Sequence, residues 1–353
     1  MHGVKLDSFY PVEETSGVPT SNNKLKLWWL PEKLRAFLRL TILNKKLTKK
    51  IDIHLSRDQY DLIIIRHETV RLDFSLLRRK HPKLKIAIEL NAFLGDELFT
   101  QNWVKRIVKH YEISQINAAD RVFPVSSILR SKLIENGITE NKIVINPNGV
   151  DKKRFNKQLL SNSVEFREKY AIPADKFVIG YVGGMEKYRR LPELAHSFIM
   201  LNKNQLKDKI FLFMVGDGQD FEEIRAILNK ESKNEDYKLL GWQKHEEVPE
   251  IMATFDLALM PYTLDYCSPL KLFEYLAMGL PTIGPDTPSV RDLFQDKKHL
   301  YLNHCDDDVD QLIEKLYLKP DERSRISKEG FSFVMENYTW RSNAERIVNN
   351  FTQ

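Results

Sequence analysis

Short apolar runs alternate with amphipathic segments along most of the chain. In the first half the apolar runs lie at 60–66, 84–90, 121–126 and 143–145. The run at 60–66 is a short continuous apolar run, as in strands buried on both faces of a parallel sheet. Amphipathic segments at 74–80 and 101–118 lie between them and predict helices. Strands that alternate with helices predict an α/β fold built on doubly wound parallel sheets.

A second series of apolar runs begins at Phe177, and several of its members end in glycine. It predicts strands at 177–182, 210–215, 237–240, 257–261 and 281–284, with helices from Leu191, from Phe221 and near 248–254. Three of these strands end in Gly183-Gly184, Gly216 and Gly241, and glycine lets a ligand approach the backbone closely. A single such glycine is more often a plain turn. Repetition along one sheet edge favours a binding site.

Residues 268–281 read as a helix whose start suits an anion. Ser268 is a good N-cap and Pro269 suits the first helical position, which puts Lys271 third, where an acid is usual. Free N–H groups and a lysine at a helix start form a phosphate site, and Glu274 follows one turn later, where a carboxylate can accept from two sugar hydroxyls. This pattern indicates a nucleotide. The alternative is a capped helix in which Lys271 and Glu274 form a surface ion pair.

Length and composition indicate a folded, two-domain protein of 353 residues, with 42% hydrophobic and 29% charged residues. The sequence shows neither a signal-peptide pattern nor a run of about 18 apolar residues, so we expect neither secretion nor a membrane-spanning helix. Its two cysteines, Cys267 and Cys305, give no disulfide framework and no metal-ligand spacing, which suits a reducing cytosol. We therefore expect a cytoplasmic protein.

Positive charge is concentrated in the first 150 residues, which carry 25 Lys and Arg against 16 Asp and Glu, whereas the remainder carries 29 against 33. Residues 24–50 hold nine basic residues and one acid, interleaved with Trp28, Trp29 and leucines. Such a helix can lie on an anionic membrane surface, and the alternative is a core helix with a solvated face. Basic stripes, helix-turn-helix patterns and zinc patterns typical of nucleic-acid binding are missing.

Several motifs follow one another in an order that resembles the GT-B glycosyltransferases of family four, a retaining group that uses nucleotide-sugar donors. They lie at 146–151 with Phe155, 180–184, 215–218, 241–242, 255–261, 268–275 with 279–281, and 338–340. The resemblance covers the chain from about residue 60 to its end. It implies two Rossmann-like doubly wound domains that face a cleft, with a sugar transferred to a growing glycan or lipid-linked acceptor.

The resemblance also implies a domain organisation. We predict an acceptor-side domain at 1–157, a nucleotide-sugar domain at 158–335 and a terminal helix at 336–353 that returns to the first domain. The charged stretch 151–175 is the predicted linker. Family members usually open with a strand, a glycine loop and a helix. Residues 1–11 resemble the lead-in and strand that follow these, so we expect the first domain to lack its opening strand.

Residue roles come from the same resemblance. Family members hold the donor diphosphate at the start of the 268–275 helix, bind the ribose with the glutamate that matches Glu274, and pack the base near Gly241 and Trp242. Predicted donor-binding residues are Gly183, Gly184, Arg190, Gly216, Gly241, Trp242, Ser268, Pro269, Leu270, Lys271 and Glu274. Predicted catalytic residues are Lys187 and Arg189, which with Arg190 could neutralise the leaving diphosphate, and Glu89 and Asn91, which stand where the family usually has a histidine.

Departures from the family pattern leave two rival functions open. Tyr266 stands where the family has the first glutamate of its pair, unless Asp265 replaces it, which favours a degenerate transferase that binds nucleotide sugar without turnover. A dinucleotide-dependent oxidoreductase is the remote rival, since the chain lacks a Gly-x-Gly-x-x-Gly fingerprint. We expect no metal or cofactor, because the acidic run at 306–308 fits a helix N-terminus better than a metal site.

Overall fold

The computed structural model describes residues 48–57, 60–67, 74–93, 102–233, 235–304 and 309–352. The chain divides into two compact units, one formed by Met1–Pro124 and Lys132–Val144, the other by Val125–Ser131 and Ile145–Gln353. The predicted strand-like opening and most of the predicted membrane-facing helix at 24–50 lie outside the described residues. Residues 48–57 are helical.

The first unit contains a parallel sheet. Its elements and the helix that follows them are β1 Leu62–His67, α1 Phe74–Lys80, β2 Lys85–Leu90, α2 Asn102–Asn117, β3 Arg121–Pro124 and α3 Ser127–Glu135. Among the described strands the order is β1-β2-β3, all parallel, with Leu62 opposite Lys85 and Ala87 opposite Arg121. The predicted strand at 143–145 is wrong. Only Ile143 forms a bridge, to Val122, and the N–H of Val144 donates to the Val122 carbonyl at 2.9 Å. The next bond of a parallel ladder would need an N–H from Pro124, which proline lacks.

The second unit contains a longer parallel sheet. Its strands are β4 Phe177–Val182, β5 Ile210–Val215, β6 Tyr237–Leu240, β7 Leu257–Leu259, β8 Thr282–Pro285 and β9 Tyr301–Asn303. Its helices are α4 Ser163–Lys169, α5 Leu191–Lys203, α6 Phe221–Glu231, α7 Val248–Met252, α8 Leu270–Ala277, α9 Pro288–Leu293, α10 Val309–Leu318, α11 Pro320–Asn337 and α12 Trp340–Asn349. Within the described residues the strand order is β6-β5-β4-β7-β8-β9, and all pairs are parallel. The sheet is doubly wound, because successive strands are added on one side of β4 up to β6 and on its other side from β7 onward.

Two hydrophobic layers cover this sheet because successive side chains of each strand point to opposite faces. Val178 and Val182 of β4 pack in the layer that includes helix α8, whereas Ile179 and Tyr181 pack in the layer that includes helix α5. Gly180 is required by packing, since a Cβ there would lie 2.1 Å from the ring of Phe255. Burial on both faces explains why the strands read as continuous apolar runs.

The α/β prediction with doubly wound parallel sheets is confirmed, and most predicted elements of the second unit are correct within one or two residues. The predicted linker at 151–175 is wrong. This stretch forms a short 3-10 helix, Lys157–Asn162, followed by α4, and buries Phe155, Phe166 and Ile172 in the core. Its charged residues mark a solvated face rather than a connection between domains.

The C-terminal helix α12 begins with a capping box formed by Thr339 and Ser342. It contacts residues 146–150, through a bridge from Thr339 to Val150 and a hydrogen bond from Asn343 to the Pro147 carbonyl at 2.6 Å. Residues 146–150 belong to the predicted first domain, but compactness groups them and α12 with the second unit. The predicted domain boundaries stay a prediction.

Among the described residues, none of the helices is both long enough and apolar enough to cross a membrane.

Candidate functional site

A cavity of about 280 Å³ lies at the carboxyl ends of β4, β5 and β6. It is lined by Val182, Gly183, Gly184, Val215, Gly216, Asp217, Trp242, Gln243, His245, Val248 and Lys271. The structure therefore brings together five predicted donor-binding residues: Gly183, Gly184, Gly216, Trp242 and Lys271. This is the end of a parallel sheet at which doubly wound folds bind ligands.

Backbone forms much of the cavity wall, and close backbone contacts require glycine there. Gly216 has φ +143°, and a Cβ at this position would lie 1.8 Å from the carbonyl oxygen of Gly183. The two strand ends are also tied by a hydrogen bond from the Gly183 N–H to the Val215 carbonyl at 3.0 Å. Gly241 differs, since a Cβ there would meet nothing within 4 Å. Gly216 is thus fixed by sterics, whereas Gly241 is not.

Helix α8 begins one residue later than predicted. Pro269 is its N-cap and Leu270 its first residue, so Lys271 is second rather than third. The prediction that Ser268 caps the helix is wrong, because its hydroxyl accepts the N–H of Asn148 at 3.0 Å. The N–H groups of Leu270 and Lys271 belong to the first turn and have no acceptor within the helix.

Lys271 and Glu274 form an ion pair, with 2.5 Å between Nζ and Oε2. Glu274 is only 5% exposed, so this is not the surface pair of the alternative interpretation. A buried carboxylate with a single cation is costly unless its remaining lone pairs gain partners. Polar hydroxyls of a ligand would supply such partners.

Three successive carbonyls before helix α8 are held by side chains. The Tyr266 carbonyl accepts from the Ser126 hydroxyl at 2.7 Å, that of Cys267 from the Ser289 hydroxyl at 2.6 Å, and that of Ser268 from the Asn148 amide at 2.6 Å. The loop with the tyrosine in place of the family's glutamate is therefore firmly anchored. Sequence reasoning missed these roles, although the motif at 146–151 contains Asn148.

The three predicted basic residues after β4 do not converge on the cavity. Lys187 is exposed, whereas Arg189 donates to the Thr263 hydroxyl at 3.3 Å, close to the end of β7. Arg190 has φ +55° and lies 4.7 Å above the ring of Tyr262. Their predicted roles toward the diphosphate stay predictions, and Arg190 is the residue that the structure separates from the glycine cavity.

Arg190 instead lines a second pocket of about 320 Å³, at the carboxyl ends of β7, β8 and β9. Its floor contains His304, whose Nδ1 lies 2.6 Å from Oδ2 of Asp286. Hydrogen bonding to Asp286 raises the pKa of His304 above its ordinary value. Asp286 also pairs with Arg291 at 2.9 Å, so this carboxylate has two basic partners.

In the first unit, Glu89 and Asn91 lie at the carboxyl end of β2 and contact each other, with 3.3 Å between Asn91 Nδ2 and Glu89 Oε1. Sequence reasoning missed a second polar pair at this edge. His67 ends β1 opposite Leu90, and its Nε2 lies 3.1 Å from the carboxylate of Glu112, which is 2% exposed. The predicted strand stopped one residue short of His67, so the pattern gave it no weight.

The described residues contain no group of three His, Cys, Asp or Glu side chains placed to hold a metal ion. The expectation of a metal-free, cofactor-free site stays a prediction. The acidic run at 306–308 lies outside the described residues, and helix α10 begins just after it.

Two family models match the chain, one in each half. The model of the family described as Glycosyltransferase Family 4 matches residues 14–154, and that described as Glycosyl transferases group 1 matches residues 162–333. The putative teichuronic acid biosynthesis glycosyltransferase TuaH of Bacillus subtilis is 29% identical over 198 residues, 52% of this chain and 45% of that protein. The lipopolysaccharide 1,6-galactosyltransferase of Escherichia coli is 27% identical over 189 residues, 51% and 46% respectively.

Structural comparison shows the same fold. Anabaena HepE, solved in complex with UDP and with UDP-glucose, superposes with a TM-score of 0.69 at 15% identity, covering 88% of this chain and 82% of that one. The chain spans about half the length of the curated relatives it matches.

Proposed function

We propose that this chain, which belongs to the group 1 glycosyltransferases with the GT-B fold, transfers a sugar from a UDP- or GDP-activated donor to a glycan or lipid-linked acceptor, with retention. The observation that carries the proposal is the glycine-lined cavity with Lys271 and Glu274 beside it. Backbone N–H groups and a lysine suit a diphosphate, and the neighbouring carboxylate suits the hydroxyls of a ribose.

The diphosphate would lie at the glycine turn and the start of α8. Backbone N–H groups and a helix start attract phosphate, and Lys271 adds a cation. Binding would replace the contact between Lys271 and Glu274, which leaves Glu274 free to accept the two ribose hydroxyls. Trp242 is 71% exposed at the cavity rim, an unusual state for tryptophan, and its ring could stack on the base. The complexes of HepE with UDP and UDP-glucose support a uridine donor.

Transfer requires stabilisation of the departing diphosphate. Arg189 and Lys187 are the nearest basic residues in sequence to the glycine turn, and a cation beside the leaving group can contribute several kcal/mol in a closed site. Glu89 and Asn91 are the proposed catalytic residues of the first unit. The names of the two relatives support a cell-surface glycan as acceptor.

Calorimetric titration with UDP-glucose, UDP-galactose and GDP-mannose tests the donor. One of them should bind and release its sugar to acceptor or water, and at about 100 times its dissociation constant it should stabilise the fold by about 2.7 kcal/mol. Failure of all nucleotide sugars, and of UDP and GDP, to bind the folded protein would refute the proposal.

A degenerate transferase is the second candidate, and Tyr266 in place of the family's glutamate favours it. It predicts donor binding without hydrolysis or transfer. Tyr266→Glu should then raise sugar release in a protein whose affinity for UDP is unchanged, whereas an already active wild type excludes this candidate.

Attachment to an anionic membrane on its inner face is the proposed location. The nine basic residues between 24 and 50 support it. Co-sedimentation should occur with vesicles containing phosphatidylglycerol, should fall at high salt and should be absent with neutral vesicles. Equal binding to neutral vesicles would contradict the electrostatic mechanism.

A further inference from the structure

Strand β4 loses its neighbour on the β7 side before it ends. Pairing between β4 and β7 stops at Gly180, opposite Ala258, whereas pairing between β4 and β5 continues to Val182. On its other side β7 stays paired, since the N–H of Met260 donates to the carbonyl of Ile283 of β8. The strands part where the sheet reverses its winding, and the described strands offer no partner to the N–H and C=O of Val182 on that side.

The hydroxyl of Tyr275 forms a hydrogen bond with each of these two backbone groups. It accepts the N–H of Val182 at 2.8 Å and donates to the carbonyl of the same residue at 3.2 Å. Tyr275 is completely buried, and burial raises the pKa of its phenol well above the ordinary value. The phenol therefore keeps the proton that it donates, and it substitutes for a strand where the glycine turn begins.

A second buried phenol holds the turn from the opposite face of the sheet. The hydroxyl of Tyr181 donates to the carbonyl of Gly184 at 2.6 Å. The ring of Tyr181 lies in the layer with α5 and that of Tyr275 in the layer with α8. Both residues are 0% exposed, so neither can touch a ligand directly.

We propose that Tyr275 and Tyr181 are positioning residues that hold 182–184 in the shape that receives the donor diphosphate, an inference that rests on the proposed function. Tyr275 follows Glu274 on helix α8 and lies one turn after Lys271. Its two hydrogen bonds therefore also fix the spacing between the glycine turn and the start of α8. Diphosphate binding at several backbone groups is sensitive to this spacing, because each contact needs hydrogen-bond geometry.

The test compares Tyr275→Phe and Tyr181→Phe with Tyr301→Phe. Tyr301 is a matched control, since it is 1% exposed, belongs to the same sheet and bonds the Glu322 carboxylate, but lies on β9, three strands from β4. Urea unfolding measures the stability of each variant. Calorimetric titration with UDP and with UDP-glucose then measures affinity in samples that contain only folded protein.

All three variants should lose stability, because Tyr275→Phe and Tyr181→Phe each leave a backbone group of the turn without its side-chain partner, and Tyr301→Phe removes a hydrogen bond to Glu322. Affinity for UDP should fall roughly tenfold in Tyr275→Phe and less in Tyr181→Phe, a loss comparable to that of one buried hydrogen bond. Tyr301→Phe should bind UDP as wild type does. Because the turn is loosened, amide exchange at 182–184 should be faster in Tyr275→Phe than in wild type. It should be unchanged in Tyr301→Phe.

Equal affinity in wild type and both test variants would overturn the inference, and so would an equal loss in Tyr301→Phe, which would indicate a general effect of stability. If Tyr275→Phe does not fold, Tyr181→Phe decides by the same criteria. A folded wild type that binds neither UDP nor UDP-glucose, nor GDP, would refute the proposed function, and the inference with it, before any variant is compared.

Discussion

Strands β4 and β5 are followed by glycines whose backbone lines a cavity, whereas β7, β8 and β9 of the same sheet lead to a pocket lined by charged side chains. At the ends of β4 and β5, backbone N–H and C=O groups of the glycines form much of the wall, and Lys271 adds a cation. At the ends of β7, β8 and β9, His304 and Arg291 each pair with Asp286. The comparison teaches that one sheet edge can leave its backbone available to an anion at the ends of β4 and β5, and can pair a carboxylate with basic side chains of its own at the ends of β7, β8 and β9.

Gly216→Ala should disrupt the backbone-lined half most strongly. A Cβ 1.8 Å from the Gly183 carbonyl oxygen forces the two strand ends apart. We expect a loss of about 3 kcal/mol in the free energy of unfolding and no measurable UDP binding. Urea unfolding and calorimetry check both values.

Gly241→Ala is the matched control, because its added methyl group meets nothing within 4 Å. It should change stability by no more than about 0.5 kcal/mol. Similar effects of the two substitutions would show that close backbone contact does not distinguish these glycines.

Lys271→Ala and Glu274→Ala should each weaken donor binding by about 1 to 3 kcal/mol, the usual loss when a charged hydrogen-bonding partner is removed. The reason is that each residue would exchange its ion-pair partner for a group of the nucleotide. Calorimetry with UDP-glucose measures the loss. Arg325→Ala, which breaks the exposed pair between Arg325 and Glu329, is the control and should leave affinity unchanged. Unchanged affinity in both test variants would make the buried pair purely structural.

Arg190→Ala tests the pocket at the ends of β7, β8 and β9. Its guanidinium lies over Tyr262 in the side-chain pocket, away from the glycine cavity. We expect less than about 0.5 kcal/mol of change in UDP affinity, because surface groups without contact to the ligand contribute little. A loss as large as that of Lys271→Ala would restore Arg190 to the diphosphate site and contradict the separation of the two halves.

The smallest expected effect concerns His304. Its pKa is raised mainly by the hydrogen bond to Asp286, with Asp296 adding attraction, so the protonated ring favours the folded state. The stabilisation is fully present below the unfolded pKa near 6.5 and is lost as pH rises through the higher folded pKa. His304→Gln should therefore lower the melting temperature slightly at pH 5.5 and not at pH 9. The effect is small because the side chain is 41% exposed.

Local pattern was sufficient for much of the second unit. The strands at 177–182 and 210–215 were predicted to the residue, because burial on both faces leaves an unbroken apolar run with a glycine at its end. Strand β9, only three residues long, was missed, since such a run is too short for periodicity to identify. The linker was wrong because charge was given more weight than the spacing of Phe155, Phe166 and Ile172.

Contacts distant in sequence decided the rest of the site. Local sequence predicts that the hydroxyl of Ser268 caps a helix. In the structure this hydroxyl accepts from Asn148, which is 120 residues away in the chain. The burial of Glu274 and the role of the Tyr275 hydroxyl likewise depend on how α8 packs on β4. Sequence could therefore identify the residue types of the site, but not which polar groups were already occupied.

The contact between α12 and residues 146–150 has a consequence for synthesis of the chain. Asn343 holds Pro147 and Arg346 holds the side chain of Asn146, while Asn148 of the same turn holds Ser268 at the start of α8. A ribosome makes these partners in the order 146–148, 268 and 343–346. The turn at 146–148, which holds Ser268 before α8, therefore gains its last contacts only after α12 has been made. If the proposed donor site needs this support, nascent chains should acquire nucleotide affinity late, after the sheet itself has formed.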